Sequence, residues 1–316
     1  MMENLQKARR NGDTKQALLK VNIAGVELAN PVTTASGTFG YGREYSMFAD
    51  LNKLGGICVK GVSNVEWKGN PPPRVMETYG GMLNSVGLQN PGVDYFIEKE
   101  VPFLRRYNTK IIVNACGHSV AEYEAVCEKL NEADIDMVEL NISCPNISEG
   151  GKAFGLDPEA AKEVVAKSKI KLTKKPLMVK LSPNVTDIAL IAKTVEGAGA
   201  DAISLINTLL GMKIDIYKKT TPFKNKFAGL SGPAIKPVAL RMVYQVHKAV
   251  KIPILGMGGI TTGEDAIEFM MAGAAAIAVG TANFRNPRAC EQILKEIEEF
   301  MDKQGISDIN EIVGIV

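Results

Sequence analysis

Eight short, almost continuously apolar runs constrain this chain more than any other feature. They are "PVTTAS" at 31–36, "GICVKG" at 56–61, "KIIVNA" at 110–115, "MVELNI" at 137–142, "LMVKLS" at 177–182, "AISLIN" at 202–207, "PILGMG" at 253–258 and "AIAVGT" at 276–281. Runs that are apolar at nearly every position, rather than at alternate ones, suit strands covered on both faces, as in a parallel sheet. Stretches of helical periodicity lie between them. "SVAEYEAVCEKLNEA" opens on a Ser cap, "DIALIAKTVEGAGA" opens on Asp187 and closes on glycines, and "GPAIKPVALRMVYQVHKAV" is long and amphipathic. "TGEDAIEFMMAGA" and "NPRACEQILKEIEEFMDKQG" complete the series. Eight strands alternating with helices predict an α/β chain folded as a (β/α)8 TIM barrel. An open doubly wound sheet is the rival arrangement.

Three segments depart from a minimal barrel. "LLKVNIAGVELAN", before the first strand, reads as an N-terminal β-hairpin that could plug the barrel bottom. Ser63–Pro91 is long and rich in Pro and Gly, and "LLGMKIDIYKKTTPFKNKFAGLSG" after the sixth strand is also long. Loops of this length in a compact domain are usually functional, and both follow strand C-termini, the face where barrels carry chemistry. The chain therefore reads as one domain over 1–316, with residues 1–16 as a solvated, flexible extension.

Composition removes several function classes. Hydrophobic residues are 46%, charged residues 23% and the net charge is +2, an ordinary soluble balance. There is no basic stripe with interleaved aromatics, so nucleic acid is not expected as a partner. The longest apolar candidate, "MMAGAAAIAVGTA", is short and broken by glycine, so no membrane span is expected and the chain should be cytoplasmic. The five cysteines are scattered without CxxC spacing, and there are only two histidines, His118 and His247. No metal site can be argued from that pattern, and free thiols in a reducing compartment fit best.

Chemistry concentrates at the strand ends. The seventh run ends in "GMGGI", with Gly256, Gly258 and Gly259, and the eighth in Gly280 and Thr281. In a barrel, the loops after these two strands often bind phosphate through backbone N–H groups. Tight packing would also explain one such glycine end, but two on adjacent strands favour phosphate. No GxGxxG follows the first strand, so a mononucleotide such as FMN fits better than a dinucleotide. Lys60 and Lys180 stand in otherwise apolar strands, where an unpaired charge costs several kcal/mol. Either is explicable as a structural ion pair; together they suggest an anionic ligand or a reduced cofactor that needs positive charge. Asn84, Asn114, Asn141, Asn146 and Asn207 form a set of amides. Asn is an ordinary turn former, but several facing one mouth suit a planar heterocycle, because each amide both donates and accepts. Cys144 stands just past the fourth strand in "VELNISCPNISEGG". A lone cysteine is most often a small buried hydrophobe, the role read for Cys58 and Cys290. The strand break and flanking amides make Cys144 a candidate general base, with Gly150 and Gly151 as hinges of its loop.

Taken together, "NSVGLQNPG", "NISCPNISEGG", "VKLSPNVTDI", "SGPAIKPVALRMVYQV" and "GMGGITTGEDAIEFMMAGAAAIAVGT" resemble the dihydroorotate dehydrogenases, FMN enzymes of pyrimidine biosynthesis. Five motifs fall in the family's order, and the likeness runs from about Leu18 to the end. The cysteine in "SCPN" is similar to that of the soluble class, where the membrane-associated class carries serine. "NTLLGMKIDI", Asn207 to Ile216, resembles the NAD-linked subclass (type B) more than the fumarate-linked one.

The resemblance implies that Cys144 removes the C5 proton of dihydroorotate while a hydride passes from C6 to N5 of FMN. It implies that Asn84, Ser85, Val86, Gly87, Leu88, Asn141, Asn207 and Thr208 hold the pyrimidine, with Lys60 touching substrate and flavin. Asn146, beside the base, is expected to join them. Ser36, Gly61, Asn114, Asn141, Lys180 and Ile206 would line the flavin and ribityl chain, and Gly232, Gly258, Gly259, Gly280 and Thr281 its phosphate. It further implies one FMN per chain and a partner subunit carrying FAD and a [2Fe–2S] cluster, within a heterotetramer built on a homodimer. A non-redox phosphate-binding barrel using a strand-end lysine as a Schiff base is the alternative from another class. A non-catalytic scaffold is a third, disfavoured by the density of polar groups at the mouth.

Overall fold

The computed structural model describes residues 17–143 and 154–316. The extension expected at 1–16 lies outside these residues, as do Cys144, Asn146, Gly150 and Gly151.

The eight apolar runs become a closed parallel barrel. Its strands are β3 (Val32–Thr34), β4 (Gly56–Val62), β7 (Lys110–Ala115), β8 (Met137–Asn141), β9 (Leu177–Lys180), β10 (Ala202–Leu205), β13 (Ile254–Met257) and β14 (Ala276–Val279), each hydrogen-bonded to the next, with β14 closing onto β3. Every strand lies within the range expected of it or within one residue of it, so the barrel replaces the open-sheet rival. Their near-continuous burial follows from a layer of helices outside and packed side chains inside.

The five expected helices form, two of them after the caps read from the sequence. Val120–Glu132 (α1) starts after Ser119, whose hydroxyl accepts from Glu122 N. Ile188–Gly197 (α3) starts after Asp187, which accepts from Leu190 N. Lys236–His247 (α4) follows a turn at Pro233–Ile235. Gly263–Met271 (α5) carries a reciprocal Thr262–Asp265 capping box, and Ala289–Gln304 (α6) ends at left-handed Gly305. Sequence reasoning missed two crossover helices: the helical run through Val93–Tyr95, Phe96–Glu100 and Val101–Leu104, between β4 and β7, and Pro158–Lys171 (α2), although Asp157 caps the latter and Pro158 opens it, a readable start signal.

The N-terminal hairpin is present as β1 (Val21–Ile23) and β2 (Val26–Leu28). Val21, Ile23 and Leu28 are buried in the main hydrophobic cluster, and Glu27 lies within electrostatic reach of Lys110 at the start of β7. The hairpin thus covers the end opposite the strand C-termini.

The two long loops are not independent. Val75–Thr78 (β5) and Gly81–Asn84 (β6) come from the first, and Leu209–Gly211 (β11) and Ala228–Ser231 (β12) from the second. They join in one antiparallel sheet of order β11–β12–β6–β5. Ser231 pairs with Met82 and Gly229 with Asn84, around a small core of Leu83, Phe223 and Ala228. This second sheet stands over the C-terminal mouth of the barrel and roofs the cavity described next.

Candidate functional site

A cavity of about 330 Å³ opens between the barrel mouth and this sheet. Its walls bring together nearly all the residues singled out from the sequence: Ser36, Lys60, Gly61, Asn84 to Leu88, Asn141, Lys180, Ile206, Asn207, Thr208, Gly232, Gly258, Gly259, Gly280 and Thr281. Asn114 is not in the wall. It is fully buried one layer below and reaches the cavity through Asn141. Cys144 and Asn146 lie outside the described residues, so the chain on either side of them, at Ser143 and from Phe154, frames their position in the sequence only.

Each wall residue is aimed by its local structure. The register of β4 on β7 shifts between Val59 and Val62, and Lys60 and Gly61 sit in that irregularity, which re-aims side chains as β-bulges do. Gly61 is required there, because a Cβ would lie 2.8 Å from Asn114 Oδ1. Asn84 closes β6 and donates from Nδ2 to Gly229 O at 3.3 Å. The following turn is held by Asn70, whose Nδ2 donates to Ser85 O at 3.1 Å, and by Arg74, which donates to Asn70 O and Gln89 Oε1.

One end of the cavity is glycine and hydroxyl. Gly258 has φ +127° and Gly259 φ +82°, a left-handed backbone that side chains rarely adopt. Thr281 Oγ1 donates to Ser231 Oγ at 2.7 Å, joining β14's end to the roof sheet. Lys236, packed against Gly259, is committed to Asp265 at 2.7 Å and Glu268 at 3.0 Å. Burial would raise the Asp265 carboxyl, but hydrogen bonds from Lys236 and Thr261 outweigh it and hold it below the usual carboxylate range. An anion at this end would therefore be met by backbone and hydroxyl donors.

The other end is cationic and amide-rich. Lys180, 4% exposed, stands 3.8 Å from the carboxylate of Glu139, which is fully buried inside the barrel. Glu139 also accepts from Asn114 Nδ2 at 2.5 Å, Ser204 Oγ at 2.7 Å and Cys58 Sγ at 3.2 Å. Burial and the Glu139 charge push the Cys58 thiol well above its ordinary pKa, so it stays protonated and donates. Burial first, and Arg74's charge second, lower the Lys60 pKa. Asn141, at the end of β8, is fixed by Tyr123, whose hydroxyl donates to its carbonyl at 2.6 Å.

Sequence reasoning missed Glu139, Ser143, Asn184 and Ser231. Glu139 was findable, since the argument made for two lysines in apolar strands applies equally to the acid in "MVELNI". Asn184 and Ser231 carry no local signal. Asn184 joins the site by donating to Thr208 O at 3.0 Å and accepting from Leu210 N at 2.9 Å, a purely tertiary arrangement.

Comparison with known proteins agrees with this geometry. The model of the dihydroorotate dehydrogenase family matches residues 18–301. The chain belongs to the dihydroorotate dehydrogenase family. It is 63% identical over 296 residues to the "Dihydroorotate dehydrogenase B (NAD(+)), catalytic subunit" of Alkaliphilus metalliredigens, covering 94% of this chain and 98% of that one. The protein of the same name from Alkaliphilus oremlandii is 64% identical over 294 residues, 93% and 97% of the two chains. That of Thermoanaerobacter pseudethanolicus is 55% identical over 296 residues, 94% and 98%. Family membership and the barrel geometry thus agree. Among the described residues no helix is long and apolar enough to cross a membrane.

Proposed function

We propose that this chain is the catalytic subunit of an NAD-linked dihydroorotate dehydrogenase, oxidising dihydroorotate to orotate in pyrimidine biosynthesis. The observation that carries the reading is the convergence, on one cavity, of "NSVGL", Asn141, Asn207 and Thr208 with Lys60 and Lys180 and with the glycine–hydroxyl end. The names of the relatives support the substrate, the NAD linkage and the status of a subunit.

The donor set fits FMN. Gly232, Gly258, Gly259, Gly280, Thr281 and Ser231 would hold its phosphate, and Ser36, Gly61, Lys180 and Ile206 the rest, with Asn114 supporting from below. When bound, FMN supplies a two-electron acceptor for the hydride leaving C6 of the substrate. The chain's own residues do the remainder. Cys144 would take the proton from C5. Lys60 would meet the substrate's negative charge, and Asn84 to Leu88, Asn141, Asn146, Asn207 and Thr208 would hold its ring. Electrons would leave through a partner subunit carrying FAD and a [2Fe–2S] cluster, in a heterotetramer built on a homodimer.

The test is anaerobic. The purified protein should be yellow, and dihydroorotate should bleach it; a preparation that cannot be loaded with FMN sinks the reading. Robust turnover with fumarate, without a partner, would defeat the NAD-linked assignment. Cys144→Ala should slow flavin reduction by roughly 10²–10⁴, the usual worth of a general base, while FMN stays bound. Unchanged single-turnover reduction would assign the base elsewhere.

A further inference from the structure

Glu139 is fully buried in the middle of β8, and none of the roles proposed above uses it. Its surroundings give it a function through geometry. An ionised carboxylate only accepts hydrogen bonds. Asn114 therefore turns its nitrogen to Glu139 Oε2 and its oxygen away. That oxygen faces Asn141 Nδ2 at 3.4 Å, which leaves Asn141 Oδ1 to accept from Ser143 N at 3.3 Å and Ser143 Oγ at 2.6 Å. With its proton directed at Asn141, Ser143 Oγ is an acceptor towards Asn207 Nδ2. Asn207 Oδ1 in turn accepts from Thr208 N at 2.7 Å. Every bond of the chain Thr208–Asn207–Ser143–Asn141–Asn114 donates towards the carboxylate. Turning Asn114 over would set its oxygen against Glu139, acceptor to acceptor.

We infer that Glu139 is a positioning residue that sets the sense of this relay, so that Asn141 and Asn207 present their remaining amide N–H groups to the ligand. Both residues line the cavity. With their oxygens engaged inside the protein, the pair selects a ligand rich in acceptors, such as a carboxylate or ring carbonyl. Glu139 does not line the cavity; it reaches the amide relay through Asn114, and its other link to the wall is the ion pair with Lys180 at 3.8 Å. The identity of the probe, orotate, rests on the function proposed above.

Two variants separate the accepting oxygen from the charge. Glu139→Gln keeps an acceptor within reach of Asn114, because the neighbouring Lys180 and Cys58 donors hold the amide oxygen on that side, but it removes the charge. Glu139→Asp keeps the charge and withdraws the oxygens by about 1.5 Å, one carbon–carbon bond. Orotate affinity of the FMN-loaded protein is read from the change in flavin absorption, with thermal stability and FMN content as controls. The relay predicts that the Gln variant binds within about threefold of wild type and the Asp variant on the order of tenfold or more weaker, the worth of one or two aligned hydrogen bonds. Loss in the Gln variant, with or without loss in the Asp variant, overturns the inference, as does unchanged affinity in both. Failure of the wild-type protein itself to bind orotate would instead overturn the proposed function. Ser143→Ala cuts the same relay in a half-buried turn and should weaken orotate by roughly threefold, about the value of one neutral hydrogen bond; unchanged binding there also counts against it.

Discussion

Lys180 and Lys60 face the same cavity from the ends of barrel strands, yet their electrostatic surroundings are opposite. Lys180 stands 3.8 Å from a buried carboxylate that three neutral donors also hold. Lys60 has no acidic partner within ion-pair distance among the described residues; its charged neighbour is Arg74, of the same sign. One lysine belongs to the barrel's internal charge balance. The other is held half-buried with its charge uncompensated, which suits a group that meets an anion only when ligand arrives. A buried cation with its own counter-charge recovers part of its desolvation cost, whereas an uncompensated one recovers none until a ligand neutralises it.

The contrast can be broken most sharply at Lys180. Lys180→Met should destabilise the protein by about 3 kcal/mol, the low end for breaking a buried pair, since the neutral donors remain on Glu139. A shift in denaturant midpoint at unchanged slope would measure this. Equal stability would mean that the pair at 3.8 Å does not count. Lys60→Met should leave stability unchanged or slightly higher and weaken orotate on the order of tenfold, the scale of a charge-assisted hydrogen bond. A clear loss of stability there would erase the distinction between the two lysines.

The smallest effect lies in pH. The Lys60 pKa is lowered from 10.5 in the folded protein, first by burial and then by Arg74. Between that lowered value and 10.5 the unfolded chain binds more protons at this site, so stability rises with pH across the window. Affinity for an anionic ligand falls across the same window as the ammonium is lost. Lys60→Met should remove both dependences. Asp265 also makes stability rise with pH, but in the acid range and as a gain rather than the relief of a cost: its carboxyl is held low, so its stabilisation is present above the unfolded value and is lost as pH falls through the folded one. Acid denaturation of Asp265→Asn against wild type would show it.

The barrel and its roof differ in how far they could be read. The barrel strands are legible because burial on both faces forces a continuous apolar run, a local signal. The roof strands are three or four residues long, partly exposed, and contain Gly and Asn. What makes them strands is pairing between Met82 and Ser231, far apart in the chain, and no periodicity reports that. Gly229 illustrates the point: it resembles any loop glycine until Thr208 Oγ1 proves to lie 2.3 Å from where its Cβ would be. The glycines at the ends of β13 and β14 were legible because strand-end glycines carry meaning once a barrel is inferred. The role of Asn114 was not, since it depends on a carboxylate from the neighbouring strand.

The amino-acid sequence by itself determined the alternation of strands and helices, the family, and which polar residues stand at strand ends. These follow from hydrophobic periodicity, capping chemistry and motif order, all of which act over a few neighbouring residues. Tertiary structure decided which polar groups meet. Closing the barrel brings Cys58, Asn114, Glu139, Lys180 and Ser204 from five strands around one point. Only there do burial and distance fix whether a lysine is paired or bare, and which way an amide must turn. Both quantities depend on separation in space, which the order of residues along the chain does not contain.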